Sequence, residues 1–250
     1  MLTIKKIGLQ VSIFLYAKKI QYLFLVGVPP PASSCADTSR TSLLALLCRL
    51  SSLQGHLTKQ GETPSLTELR EILWTNRKPV GSVNEVWPKL YIGDESVARD
   101  KTRLSSLGVT HVLNAAAGQH RINTGQKFYT DIEVVYHGVE AADHPEFNLQ
   151  PFFNSAALFI DLDLSNNDPK HLTILVHCAM GVSRSGALVL AYLMIHQGLT
   201  LAEAIVAVRL CRDIGPNSGF LEQLRKLELS LRTQSKQIAE DSNGGKPVSL

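Results

Sequence analysis

Cysteine is scarce in this 250-residue chain: only Cys35, Cys48, Cys178 and Cys211, spread far apart. Such spacing makes neither a disulfide framework nor a CxxC zinc or redox pair, and its ordinary reading is reduced thiols in a cytosolic protein. Excess charge is missing as well. Twenty-five Lys+Arg against 22 Asp+Glu leave a formal +3 with His neutral, too mild to point to nucleic acid as a partner. Long apolar runs are also absent. Ile7–Val28 is apolar, but Lys18 and Lys19 cut it into pieces of about ten residues, where a spanning helix needs about twenty, so no membrane span is expected. A secretory signal over Ile20–Val28 and an organelle presequence stay open, beside the simpler reading of an extension that does not join the domain. His111, His120, His137, His144, His171 and His196 show no metal-ligand spacing and His56 lies outside the domain; no metal or other cofactor is expected. No internal repeat is visible.

What the chain does have is enough apolar content, 44%, to bury a sizeable core. Its charge is unevenly spread: residues 1–60 hold seven basic groups and one acid, a formal +6, so residues 61–250 carry −3. Pro29-Pro30-Pro31 reads as a linker and Ser42–Leu53 as a short leucine-rich helix. Residues 1–64 are therefore expected to be an extension, disordered or weakly structured, and 233–250 a disordered polar tail. Between them, at 65–232, strands alternate with helices. Ser65 and Glu68 form a capping box for a helix to about Trp74, and Glu95–Leu107 reads as a helix stopped by Gly108. Strands are expected at Lys89–Asp94, Thr110–Ala115, Glu133–Val139 and Thr173–Val176, and further helices at Pro151–Leu162, Ser185–Gln197, Thr200–Cys211 and Gly219–Leu231. The expected fold is α/β, a mostly parallel central sheet flanked by helices.

The informative stretch is His177-Cys-Ala-Met-Gly-Val-Ser-Arg-Ser-Gly186. A cysteine followed six positions later by an arginine is a weak signal, since four Cys and twelve Arg give roughly 0.2 such pairs by chance. Placement makes it strong. The stretch lies between a buried apolar strand and a helix N-terminus, where unpaired N–H groups and the helix dipole favour an anion. Small residues and Gly181 let Ala179, Met180, Gly181, Val182 and Ser183 turn their amides inward as a phosphate cradle. At its floor, the Cys178 thiol should fall to about 3.5–7.5, making a thiolate nucleophile for phosphorus. Arg184 can grip two phosphate oxygens with a bidentate fork that Lys lacks. Ser183 and Ser185 supply hydroxyls, one to organise the loop and one to reach the sulfur. An inert core thiol beside a surface arginine is the bland alternative; but an arginine in the first turn opposes the dipole and calls for an anion.

These residues resemble the His-Cys-x5-Arg-Ser signature of cysteine-based protein phosphatases, specifically the atypical dual-specificity group, with most similarity to its small muscle- and testis-type members. Residues 83–94, 110–118, 136–149 and 216–224 resemble further blocks of that family in order, so the likeness spans about 65–232. Residues 1–60 resemble nothing in it. The chemistry needs a general acid, and Glu140, Asp143, Glu146, Asp161, Asp163 and Asp168 lie upstream. Sequence physics favours only the loop after Glu133–Val139; the family pattern selects Asp143. The resemblance also implies that Ser185 assists breakdown of the intermediate, that His177 orders the loop, and that Asn217 supports it from behind. Gly186 stands where relatives often carry Ala or Pro, which should cost under about 1 kcal/mol.

Ala179, Met180, Val182 and Ser183 are uncharged, whereas members of the family acting on inositol phospholipids tend to carry lysines there, so the resemblance implies phosphoproteins over phosphoinositides. The expected function is a metal-independent dual-specificity protein phosphatase acting on phosphotyrosine and phosphoserine/phosphothreonine through a phosphocysteine. Its partners are phosphoprotein substrates, kinases among the candidates, and its location cytoplasmic, with the nucleus also open. The rivals are a phosphoprotein-binding scaffold of the same fold, which would need neither nucleophile nor acid, and a cysteine acyl hydrolase, which leaves Arg184 without a task.

Overall fold

Ser65 opens the first helix as its spacing to Glu68 predicts: each side chain hydrogen-bonds the other's backbone N–H, and α1 runs Leu66–Trp74. It is the first element in a computed structural model that describes residues 63–77, 79–118, 121–165 and 172–243. The expectations for residues 1–62, His120, Asp168, His171 and residues 244–250 fall outside them.

Five strands follow: β1 Val83–Trp87, β2 Leu90–Gly93, β3 His111–Asn114, β4 Val135–Gly138 and β5 Ile174–His177. Their spatial order is β1-β2-β5-β3-β4, with β1 antiparallel to β2 and every other pairing parallel. The sheet is thus mostly parallel, as expected, with one antiparallel edge. That edge was not legible as a strand, because Asn84 and Glu85 interrupt its apolar pattern and the pairing shifts register between Glu85 and Trp87.

β5 is central, and all four of its residues are buried. Their alternation builds two layers: Ile174 and Val176 join Leu90, Ile92 and Leu113 on one face, while Leu175 joins Val97, Leu104, Val112 and Tyr129 on the other. The smaller layer holds α2 (Glu95–Arg99), α3 (Lys101–Ser106) and a 3-10 segment, Gln126–Ile132. The larger layer adds α4 (Phe153–Ser165), α5 (Arg184–Ile195), α6 (Leu201–Arg209) and α7 (Ser218–Asn243) to α1. Residues Arg184 to Met194 of α5 are all buried, and each leucine among them contributes about 1.5–3 kcal/mol through burial.

Two elements depart from expectation. The helix expected over Glu95–Leu107 is split at Asp100, whose N–H bonds the Val97 carbonyl while its carboxylate accepts from the Arg103 N–H. A side chain that competes for backbone donors favours a cap over a helix interior. The last helix continues to Asn243 rather than ending near Leu231. Neither Gly nor Pro interrupts 220–243, and Gln, Lys, Ala and Glu all propagate a helix well.

Candidate active site

The parallel core strand ends at His177, and α5 begins at Arg184, so residues 178–183 must turn between a sheet edge and a helix N-terminus. No side chain caps α5: Ser183 sits at the cap position with its hydroxyl turned elsewhere. The Val182 and Ser185 amides face Cys178. Burial pushes its thiol up, but hydrogen bonds from the Ser185 hydroxyl and from the backbone N–H groups of Ser185 and Val182, together with the Arg184 charge, outweigh that and hold it below the ordinary range. The Cys178 Sγ–Ser185 Oγ separation is 3.3 Å.

Arg184 is nearly buried. Its Nη1 donates to the Ala141 carbonyl at 3.1 Å, while its buried Nε makes no hydrogen bond and lies 3.6 Å from Asp143 Oδ2. Asp143 Oδ1 accepts from Ser183 Oγ at 2.6 Å and from Asn217 Nδ2 at 3.0 Å. The two serines therefore divide the work: Ser185 meets the sulfur, and Ser183 meets the carboxylate. Asn217 meets the loop through Ser183. Its side chain bonds Asp143 and the Phe220 N–H, and its own N–H donates to Ser183 Oγ at 3.2 Å. At the next residue the chain enters α7, whose Gln223 fastens the far end of the Asp143 loop. Its Oε1 accepts from the N–H groups of Leu149 and Gln150 at 2.7 and 2.9 Å, and its Nε2 donates to the Phe147 carbonyl at 2.9 Å.

Two other upstream carboxylates meet other partners: Asp161 pairs with His196 at 3.2 Å, and Glu146 with His144 at 4.0 Å. His177 is fully buried, and burial pulls its imidazole down to about 4, so it is neutral at pH 7 and cannot serve as a charged partner there. Ala179 is half-buried and Met180, 72% exposed, forms the rim. Gly186 packs closely on Ile214, to whose Cβ a methyl there would lie 3.2 Å away.

One residue that the sequence reading passed over completes the loop. Arg212, in the turn between α6 and α7, is 3% exposed. Its Nε donates to the Gly181 carbonyl at 2.8 Å and its Nη2 to the Met180 carbonyl at 3.2 Å; its Nη1 donates to the Gly81 carbonyl at 2.7 Å and Asn84 Oδ1 at 2.8 Å. Gly181 has φ +63°, and a Cβ there would collide with the Gly93 carbonyl and the Arg212 guanidinium. Nothing in local spacing marks an arginine as buried. Among the described residues, no group of three or more His, Cys, Asp or Glu could hold a metal ion, and no helix is long and apolar enough to cross a membrane.

A thiol held below its ordinary range, an arginine and a carboxylate gathered around an amide-lined loop at the end of a parallel sheet define a cysteine-phosphatase class of site. Comparison with known proteins makes the class specific. The dual specificity phosphatase catalytic-domain model matches residues 90–230, and the chain belongs to that family. Mouse dual specificity protein phosphatase 13B is 47% identical over 178 residues, 71% of this chain and 88% of that protein. Crystal structures agree. Human DUSP28 is 29% identical with a TM-score of 0.53, covering 62% of this chain and 99% of that one. A human tyrosine phosphatase-like serine/threonine/tyrosine-interacting protein is 30% identical with a TM-score of 0.51, covering 59% of this chain and 96% of that one. The chain is accordingly a dual-specificity protein phosphatase with phosphoproteins as substrates, and the scaffold reading is not favoured.

Proposed function

We propose that this phosphatase works through a phosphocysteine at Cys178, with Arg184, Asp143 and Ser185 as its partners. The Cys178 thiolate attacks phosphorus while the bond from phosphorus to the leaving oxygen breaks. Asp143, protonated in the substrate complex, gives that oxygen its proton. Water then attacks the thiophosphate, passing a proton to Asp143. The S–P bond breaks and the thiolate leaves, accepting the Ser185 hydroxyl hydrogen bond. Arg184 turns its Nε, which makes no hydrogen bond within the protein, to the phosphate and follows the charge into the transition state, and the amides of 179–184 bind the remaining oxygens. The reaction runs without a metal ion, on phosphotyrosine and phosphoserine/phosphothreonine, in the cytoplasm.

The observation that carries this reading is the held-down Cys178 thiol 3.3 Å from Ser185 Oγ, under an arginine whose buried Nε makes no hydrogen bond. Hydrolysis of an aryl phosphate with chelator present tests it. Cys178→Ser should lose more than about 10⁴-fold in kcat, and wild-type turnover by that variant sinks the proposal. Asp143→Ala should slow kcat by about 10²–10⁴-fold, most for alkyl leaving groups; an equal loss for good and poor leaving groups would remove it as the acid.

A further inference from the structure

We infer that Arg212 is a positioning residue for catalysis, a clamp behind the cradle that fixes the direction of the amides facing Cys178. The inference rests on the phosphatase reading of that loop. In a trans peptide, the carbonyl and the following N–H point in opposite directions. Arg212 Nε holds the Gly181 carbonyl at 2.8 Å, on the outer side of the loop. The N–H of the same peptide belongs to Val182 and donates to the Cys178 sulfur. Arg212 Nη2 holds the Met180 carbonyl in the same way, directing the Gly181 N–H inward.

The clamp itself is fixed from the other side. Nη1 bonds the Gly81 carbonyl and Asn84 Oδ1, so one guanidinium ties the start of the β1–β2 hairpin to the cradle. Gly181 leaves the space that the guanidinium occupies. Its positive charge also lies close enough to Cys178 for the two to interact electrostatically. Lysine would keep the charge and lose the fork, which separates the two contributions.

The test uses the full chain with Arg212→Lys, Arg212→Met and Asn84→Ala. Three readouts are followed: the pH midpoint of Cys178 alkylation by iodoacetate, read on its own peptide by mass spectrometry; vanadate affinity; and kcat/KM for an aryl phosphate. Circular dichroism monitors the fold. Arg212→Lys should raise the alkylation midpoint and weaken vanadate binding and kcat/KM together by about ten-fold or more. Arg212→Met should go further, and Asn84→Ala should move all three a few-fold in the same direction. A folded Arg212→Lys with wild-type midpoint and vanadate affinity overturns the proposal, as does a lowered melting temperature without a shifted midpoint. If both arginine variants fail to fold, Asn84→Ala decides by the same criteria. Alkylation reads the thiol whatever the chemistry. An active Cys178→Ser enzyme would thus remove the phosphocysteine and leave the clamp to stand or fall alone.

Discussion

Two buried arginines flank the same loop and are treated oppositely by the fold. Arg212, behind it, spreads its guanidinium over four protein acceptors. Arg184, in front, has one carbonyl partner, an ion-pair distance of 3.6 Å to Asp143, and a buried Nε without a hydrogen bond. A buried donor left unpaired costs about 1–3 kcal/mol, a cost a fold sustains where a ligand supplies the missing acceptor. Hydrogen-bond satisfaction thus separates two arginines that burial alone would group, in line with the clamp proposed for Arg212 and the phosphate contact proposed for Arg184.

The contrast can be broken at several strengths. The largest expected effect is at the front: Arg184→Lys should reduce kcat/KM by about 10²–10³-fold, since a point charge cannot replace a fork directed at the transition state. A loss under about ten-fold, measured on an aryl phosphate, would mean that the two arginines do not differ in the way their partners suggest. The next lies at the loop's base, where His177 is buried and neutral with a folded-state pKa of about 4. The unfolded chain takes up that proton near pH 6.5, so stability from this residue is complete above that value and is lost as pH falls toward 4. The loss should approach about 3 kcal/mol. Urea unfolding between pH 7 and 4.5 checks it, and His177→Gln should flatten the slope. The smallest lies far from the site: Ser65→Ala should cost about 1 kcal/mol in unfolding free energy while leaving kcat/KM unchanged.

The front of the loop was far more legible than the back. Cys178, Arg184 and Ser185 fall within one contiguous stretch, and a strand before it and a helix after it dictate how they converge. Asp143 lies forty residues from Ser183, and only the family pattern separated it from Glu140 and Glu146. Arg212 was invisible, because its acceptors are carbonyls at Gly81, Met180 and Gly181, and backbone groups carry no sequence signal. The same reason hid the task of Gln223. The mostly parallel pairing followed from strands separated by helices, whereas the β1 edge, polar at Asn84 and Glu85, needed its partner to become a strand. Asp100 shows local chemistry overriding periodicity: the apolar pattern ran through it, but its carboxylate found a backbone donor first.

The fastening of the Asp143 loop has a kinetic consequence. Ser183 and Asn217 hold one end and Gln223 the other, so the carboxylate is in place before any substrate arrives. An acid on a swinging lid would have to be ordered anew at each encounter, and its closing would add a slow step to every cycle. For Asp143, the proposed acid, that ordering would be completed once, when the chain folds. With the proposed acid already held, no loop closure is expected to limit turnover.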